Sequence, residues 1–352
     1  MSRLHRGVAA GLLLLAGLAP AGCSILPRTD AQSRSTGPAR AFVYSPYKHV
    51  AIDWQARPPV MATAVAGAPT PIVAGDRATL PPGVTTLTLA FATGECGAET
   101  WDDAPPQDIV GATRAPFEAA GIDYIVSTGG EAGTFTCATD EGMEAFIARY
   151  ASPRLVGIDF DIERGQSDPV LRDLTTRVKA AQARHPGLRF SFTLATWAGT
   201  DAARASLNPD GARVLAALHA AGVTDYYVNL MVMDYGAAQP GNCVVAGTVC
   251  DMGRSAVQAA LNLRDRFGVP LQRIELTPMI GINDVVANVF TLDDAARLAR
   301  FARDSGLGGV HFWSLDRDVS CPNDARVVSS KCHGLPGVAP FAYARALGDA
   351  LR

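Results

Sequence analysis

What this chain of 352 residues has little of narrows its class first. Charged residues are only 18% of it and the formal net charge is −3, and no basic run is interleaved with aromatics, so nucleic-acid partners are not expected. The longest apolar run, Val8 to Leu18, falls short of the roughly 20 residues a spanning helix needs. No metal-type CxxC spacing occurs, which argues against a structural metal. There is no GxGxxG after the first strand-like run and no phosphate-binding Gly-Lys-Ser loop, so an open nucleotide-binding sheet lacks its marks. What is present, 48% hydrophobic residues over this length, suffices for a full-sized core.

The amino-terminal segment reads as an export signal. Arg3 and Arg6 precede the short apolar run, and Ala19-Pro20-Ala21-Gly22-Cys23 follows with small residues. Two outcomes fit: cleavage after Ala21, or lipoprotein processing that attaches lipid, and hence a membrane, to Cys23. The segment thus divides into a leader over 1–22 and a Ser, Arg, Pro and Gly-rich tether over 23–39, ahead of one folded domain over 40–352. Losing Arg3 and Arg6 from the 31 basic residues leaves 29 against 34 acidic, a net charge of −5.

Setting Cys23 aside leaves six of the seven cysteines, an even number suited to an oxidising compartment. Their spacing suggests local pairs, Cys243 with Cys250 and Cys321 with Cys332, leaving Cys96 and Cys137 to bridge neighbouring loops. Free buried thiols are the other reading of the same spacing.

Beyond residue 39 short β-branched or apolar runs alternate with helix-period stretches. Eight runs read as strands: Phe42 to Tyr47, Thr86 to Ala92, Asp123 to Ser127, Leu155 to Glu163, Arg189 to Trp197, Tyr226 to Tyr235, Ile274 to Ile282 and Gly309 to Leu315. Helical stretches include Val170 to Arg184, Asp210 to Ala221, Ser255 to Phe267 and Leu292 to Ser305. Eightfold strand and helix repetition predicts an α/β fold, a single (β/α)8 TIM barrel with no second domain. The long Pro/Ala-rich segment from Gln55 to Pro82 is either an insertion over the barrel or the place where the strand count fails.

The informative run is Leu155-Val156-Gly157-Ile158-Asp159-Phe160-Asp161-Ile162-Glu163. Alternation in a strand puts the three acids on one face and Ile158, Phe160 and Ile162 on the other, so the carboxyls face the barrel axis. Neighbours on one face lie about 6.6 Å apart, close enough for repulsion and partial burial to raise at least one pKa. A glutamic acid kept protonated in this way can donate a proton to a leaving oxygen. Glu163, last in the run, is expected at the carboxyl end of its strand, where barrel enzymes hold their sites. A solvated acidic strand face is the bland reading of the same pattern.

That run resembles the D-G-x-D-x-D-x-E signature of glycoside hydrolase family 18, the chitinases and endo-β-N-acetylglucosaminidases. Val156 departs from it, standing where the family carries its outermost Asp, but on the face opposite the other acids. Ser127-Thr128-Gly129-Gly130 resembles the family's S-x-G-G, Met231-Val232-Met233-Asp234-Tyr235 its strand-six Met, Asp and Tyr, and Trp313 its strand-eight Trp. The resemblance implies hydrolysis of β-1,4 bonds in N-acetylglucosamine-containing glycans by a retaining, substrate-assisted route. In it Glu163 donates the proton and then activates water, Asp161 orients the acetamide, and Asp159 lies beneath.

Substrate contacts are expected from Trp313, a floor for a sugar ring, with Met231, Asp234, Tyr235, Ser127, Gly129, Gly130 and Trp197 around it. Tyr235 comes two residues later than is usual in the family, and Asp234 needs a bulge to reach the cleft. Trp54, Trp101 and Trp197 are subsites or rim packing. Only one helix and its loops fit between Ile282 and Gly308, so the small α+β insertion domain of some relatives is not expected, which favours a shallow cleft and internal cutting. Nothing in the chain calls for a metal or an organic cofactor. A sugar-binding lectin on the same barrel, or an envelope lipoprotein without turnover, are the alternatives, the lectin disfavoured by the presence of Glu163.

Overall fold

This computed structural model describes residues 40–65, 68–102 and 104–352. The leader, the tether and Cys23 lie outside the described residues.

The chain forms a (β/α)8 barrel. Its strands are β1 (Val43–Tyr44, continued by Tyr47–His49), β2 (Thr86–Ala92), β3 (Asp123–Gly129), β4 (Leu155–Asp161), β5 (Arg189–Ala195), β6 (Tyr227–Met231), β7 (Ile274–Thr277) and β8 (Gly309–Val310). All pair in parallel with their sequence neighbours. Closure happens within β1, which Pro46 breaks because it has no N–H to give the ladder. The first half pairs with β8 and the second with β2. Across the break the amides of Ser45 and Tyr47 still donate to the carbonyls of Val310 and Phe312, at 3.1 and 3.0 Å.

Among the described residues seven α-helices cover the barrel: α1 (Pro106–Ala120), α2 (Asp140–Tyr150), α3 (Asp168–Arg184), α4 (Pro209–Ala220), α5 (Met252–Phe267), α6 (Leu292–Ser305) and α7 (Ala342–Leu351). Their starts follow the side chains available. Asn208 and Asp251 cap α4 and α5, and Thr291 with Asp294 forms a reciprocal capping box on α6. Spacing of three and four selects the buried faces, as with Ala295, Leu298, Ala299 and Ala302 of α6. On β4, Ile158 and Phe160 are fully buried against that layer, with Phe160 stacked on Phe192 at 5.2 Å. Each such side chain contributes roughly 1.5–3 kcal/mol.

Two expectations need correction. Helices do not follow all eight strands: β1 and β2 are joined by three antiparallel ribbons, Gln55–Ala56 with Pro59–Val60, Ala62–Val65 with Ala68–Pro71, and Val73–Ala74 with Arg77–Ala78. Prolines 58, 59, 69 and 71 deny this segment a helical ladder, so it is an insertion and the strand count stands. Several strands also end sooner than their apolar runs, β4 at Asp161, β6 at Met231, β7 at Thr277 and β8 at Val310. Past these ends only scattered ladder bonds remain, such as the Trp313 amide to the Pro278 carbonyl at 2.8 Å, while the chain stays buried, so hydrophobicity overruns the regular strand.

The three cysteine pairs form as expected, Cys96–Cys137, Cys243–Cys250 and Cys321–Cys332. Between β7 and α6 lies only a two-stranded ribbon, Gly281–Ile282 with Val289–Phe290.

Candidate active site

Strand β4 delivers two carboxyls into the barrel. Asp159 is buried and accepts four hydroxyl bonds: Ser127 at 2.6 Å, Ser191 at 2.7 Å, Thr193 at 2.8 Å and Tyr47 at 3.0 Å. Asn229 Nδ2 donates to the hydroxyls of Tyr47 and Thr193, at 3.1 and 2.9 Å, while its Oδ1 accepts from Thr277 Oγ1 at 2.8 Å. With those acceptors filled, the Tyr47 and Thr193 protons point at Asp159. Burial pushes its carboxyl above the ordinary range, and the Ser127, Ser191 and Thr193 hydroxyls pull it back.

Asp161, one pleat nearer the mouth, is only 5% exposed, yet its Oδ1 has no hydrogen-bond partner among the described residues. Burial first, then Glu163 and Asp159, raise its carboxyl well above the usual range. Glu163 lies two residues past the strand end, not on its last position as the unbroken alternation suggested. Its carboxyl is pushed up to about 7 by burial and then by Glu131, an effect that Arg164 opposes and Asp234 adds to. A group at that value carries a proton for much of the time near neutrality and can also take one back.

These acids open onto a cleft of about 560 Å³ at the carboxyl end of the barrel, lined by Asp161 and Glu163 together with Trp313, Met231, Trp197 and Asp234. Trp313 lies almost parallel to Phe91, ring centroids 5.6 Å apart at 15°, with Tyr47 and His49 at 5.9 and 5.8 Å. Asp234 reaches the cleft through a left-handed backbone (φ 48°) and not through a bulge in the strand. Its Oδ1 accepts from the Val285 amide at 2.7 Å.

Four expected contact residues do not line the cleft. Tyr235 is buried in the apolar core and its hydroxyl has no partner among the described residues. The strand has already ended at Met231, and the left-handed turn at Asp234 cancels the alternation that would have aimed Tyr235 inward. Ser127 spends its hydroxyl on Asp159. Gly129 and Gly130 act through close approach: a Cβ on Gly129 would lie 2.1 Å from the carbonyl oxygen of Asp161, and one on Gly130 would lie 2.7 Å from the Phe91 ring. Both have positive φ, 83° and 80°, which glycine alone adopts freely. Trp101 is core, its indole N–H donating to Tyr150 at 2.7 Å, and Trp54 packs partly buried against the core.

Sequence reasoning missed Tyr47, Phe91, Glu131, Met233 and Asp284, all on the cleft wall. Asn229 was within reach, since it shares the parity of Met231 two positions on. Tyr47 and Phe91 looked like ordinary strand aromatics.

Barrel, paired acids and aromatic floor resemble what the likeness to glycoside hydrolase family 18 implies, and the relatives found by comparison are chitinases by name. No protein-family model matches the chain. It is 29% identical over 233 residues to a probable bifunctional chitinase/lysozyme of Escherichia coli, covering 61% of this chain and 25% of that protein. It is 29% identical over 217 residues to endochitinase 11 of Metarhizium anisopliae, covering 57% and 41%. The chain thus spans less than half the length of these curated relatives. The catalytic domain of a hyperthermophilic chitinase from Pyrococcus furiosus superposes with a TM-score of 0.64 and 24% identity, over 90% of this chain and 97% of that one, which supports the barrel.

Proposed function

We propose that this protein hydrolyses β-1,4 bonds in glycans containing N-acetylglucosamine, chitin or chito-oligosaccharides, by a retaining, substrate-assisted mechanism with Glu163 as proton donor. The observation that carries the reading is the pair at the mouth of β4: an unpartnered, buried carboxyl oxygen on Asp161 beside a cleft-lining Glu163 whose pKa is pushed up to about 7. The curated relatives are named chitinases.

Glu163 gives its proton to the glycosidic oxygen as the bond to the anomeric carbon breaks. The substrate's own 2-acetamido oxygen forms the new bond from the opposite face, leaving a cationic oxazolinium. Asp161 Oδ1, with no protein donor to satisfy, accepts the acetamide N–H, which the developing cation makes a stronger donor. Asp159 beneath adds negative charge from a carboxylate anchored by four hydroxyls. Glu163, now ionised, takes a proton from water as its oxygen attacks the anomeric carbon and reopens the ring, with net retention. Trp313, backed by Phe91, offers the apolar face of a sugar a floor.

We also read residues 1–22 as a leader that exports the protein, with 23–39 as tether and Cys23 as a lipid site if processing occurs there. Three disulfides favour an oxidising compartment. No helix among the described residues is long and apolar enough to cross a membrane.

The test is fluorophore release from β-linked di- and tri-N-acetylglucosamine glycosides by the wild type beside Glu163→Gln, which keeps the shape and cannot donate the proton. Release by the wild type, lost in the variant with binding retained, is the expected result. Binding without release by the wild type would overturn the hydrolase and leave a lectin.

A further inference from the structure

Tyr47 aside, the ionisable side chains of the cleft are of one kind. Five carboxyl side chains line it, Glu131, Asp161, Glu163, Asp234 and Asp284, and no Lys, Arg or His among the described residues does. Three of the five have work in the mechanism or in the fold: Asp161 and Glu163 face the reacting sugar, and Asp234 holds the Val285 amide. Glu131 has its charge partly met at the rim, where Arg164 lies 3.3 Å away. Asp284 forms no salt bridge among the described residues. Buried Arg317 offsets it at longer range but sends its own N–H groups to the carbonyls of Ile280 and Ile282.

The backbone that carries Asp284 is nonetheless anchored, while its side chain is exposed. It sits in the turn of the ribbon after β7, between Val285, tied to Asp234, and Asn283, whose side chain donates to the Met279 carbonyl at 2.8 Å. Asp284 thus presents an exposed, unpaired carboxylate from an anchored backbone on the wall that also contains the partnerless Asp161 oxygen. Low-dielectric walls focus such a field on whatever lies in the groove. It attracts cationic groups and costs free energy against anionic ones.

Resting on the hydrolase reading above, we propose that Asp284, assisted by Glu131, makes this cleft select glycans bearing glucosamine ammonium groups beside the reacting N-acetylglucosamine, and reject those bearing muramic carboxylates. The chemistry permits the mixture. Only the sugar whose anomeric carbon is attacked must supply an acetamide, so free amines elsewhere along the chain do not interrupt the reaction. Partly deacetylated chitin is therefore favoured over fully acetylated chitin of equal length, and peptidoglycan strands are disfavoured.

The experiment is equilibrium binding to the Glu163→Gln protein, which holds ligand without turnover. Three oligosaccharides of one length are compared: fully N-acetylated, partly deacetylated, and alternating N-acetylglucosamine with N-acetylmuramic acid. At low salt the partly deacetylated sugar should bind about two- to fivefold tighter than the acetylated one, the range of a partly exposed charge pair, and the muramic sugar weaker than both. The preference should fall toward unity in about 1 M salt, where the screening length is about 3 Å. Adding Asp284→Asn should compress the ratio, and Asp284→Lys should invert it. Equal affinities for the three sugars, or a preference that Asp284→Asn and Asp284→Lys leave unmoved, would overturn the proposal. Failure of hydrolysis shows separately, as absence of turnover of the acetylated glycoside by the wild type.

Discussion

The Tyr47 hydroxyl donates to Asp159 Oδ2 at 3.0 Å while accepting from Asn229 at 3.1 Å, so a residue of the first strand orients a carboxylate on the fourth. Its ring also forms part of the cleft wall beside Trp313. Tyr47→Phe keeps the ring, removes the proton and leaves one Asp159 lone pair and the Asn229 amide short of a partner. Thermal or denaturant unfolding should show a loss of about 1–3 kcal/mol, the cost of stranding buried polar groups. Turnover should fall as well, because Asp159 then holds its own proton more tightly and offers less negative charge to Asp161. Unchanged stability and rate would mean that the four-hydroxyl cage is not acting as a unit.

The glycines at the end of β3 give a sharper steric prediction. Ala at 129 would set its Cβ against main chain, 2.1 Å from the Asp161 oxygen, whereas Ala at 130 meets a side chain, the Phe91 ring at 2.7 Å. Gly129→Ala should cost about 3 kcal/mol or more, since neither strand can give way and φ is positive as well. Gly130→Ala should cost less in unfolding but shift Phe91 and loosen the Trp313 stack, read as a raised KM with a smaller change in kcat.

Much of this was legible in the sequence, and the exceptions have physical causes. Alternation along 155–163 placed Asp159 and Asp161 correctly because a strand's period is fixed by its backbone. Extending it through Tyr235 failed because β6 ends at Met231 and Asp234 adopts a left-handed backbone, which sequence alternation cannot register. The helix-free crossover after β1 was hinted at by its prolines. Phe91 and Tyr47 escaped notice because a strand aromatic looks the same whether it faces a core or a cleft. Asp284 escaped because its place depends on a ribbon only two residues deep per strand.

The disulfides should differ in worth with the loop each closes. Cys96–Cys137 spans 41 residues and ties the loop after β2 to the loop after β3, whereas Cys243–Cys250 spans 7. Loop-closure entropy gives about 4 kcal/mol for the first and about 2.5 kcal/mol for the second. Paired Cys→Ser variants should therefore lose stability in that order. The longer bridge also anchors Cys96 and Cys137 beside the Gly94–Glu95 and Phe135–Thr136 pairing, so its loss should raise proteolysis there first.

Glu163 should make the wild type less stable than its own inactive variant at alkaline pH. Its carboxyl sits at about 7 in the folded protein against an ordinary 4.5, so between those values the folded state binds more protons than the unfolded one and stability falls as pH rises. Below pH 4.5 both states are protonated and nothing is lost. Above about 7 the full difference, up to about 3 kcal/mol, is present. Glu163→Gln removes the titration, so its unfolding temperature should match the wild type near pH 4 and exceed it by a few degrees at pH 8. The same group predicts that kcat/KM of the wild type declines above about pH 7, as the proton to be donated is lost. A variant no more stable at pH 8 than at pH 4, relative to the wild type, would mean that Glu163 ionises as freely in the fold as in water. The decline in kcat/KM would then have to come from Asp161 or another group.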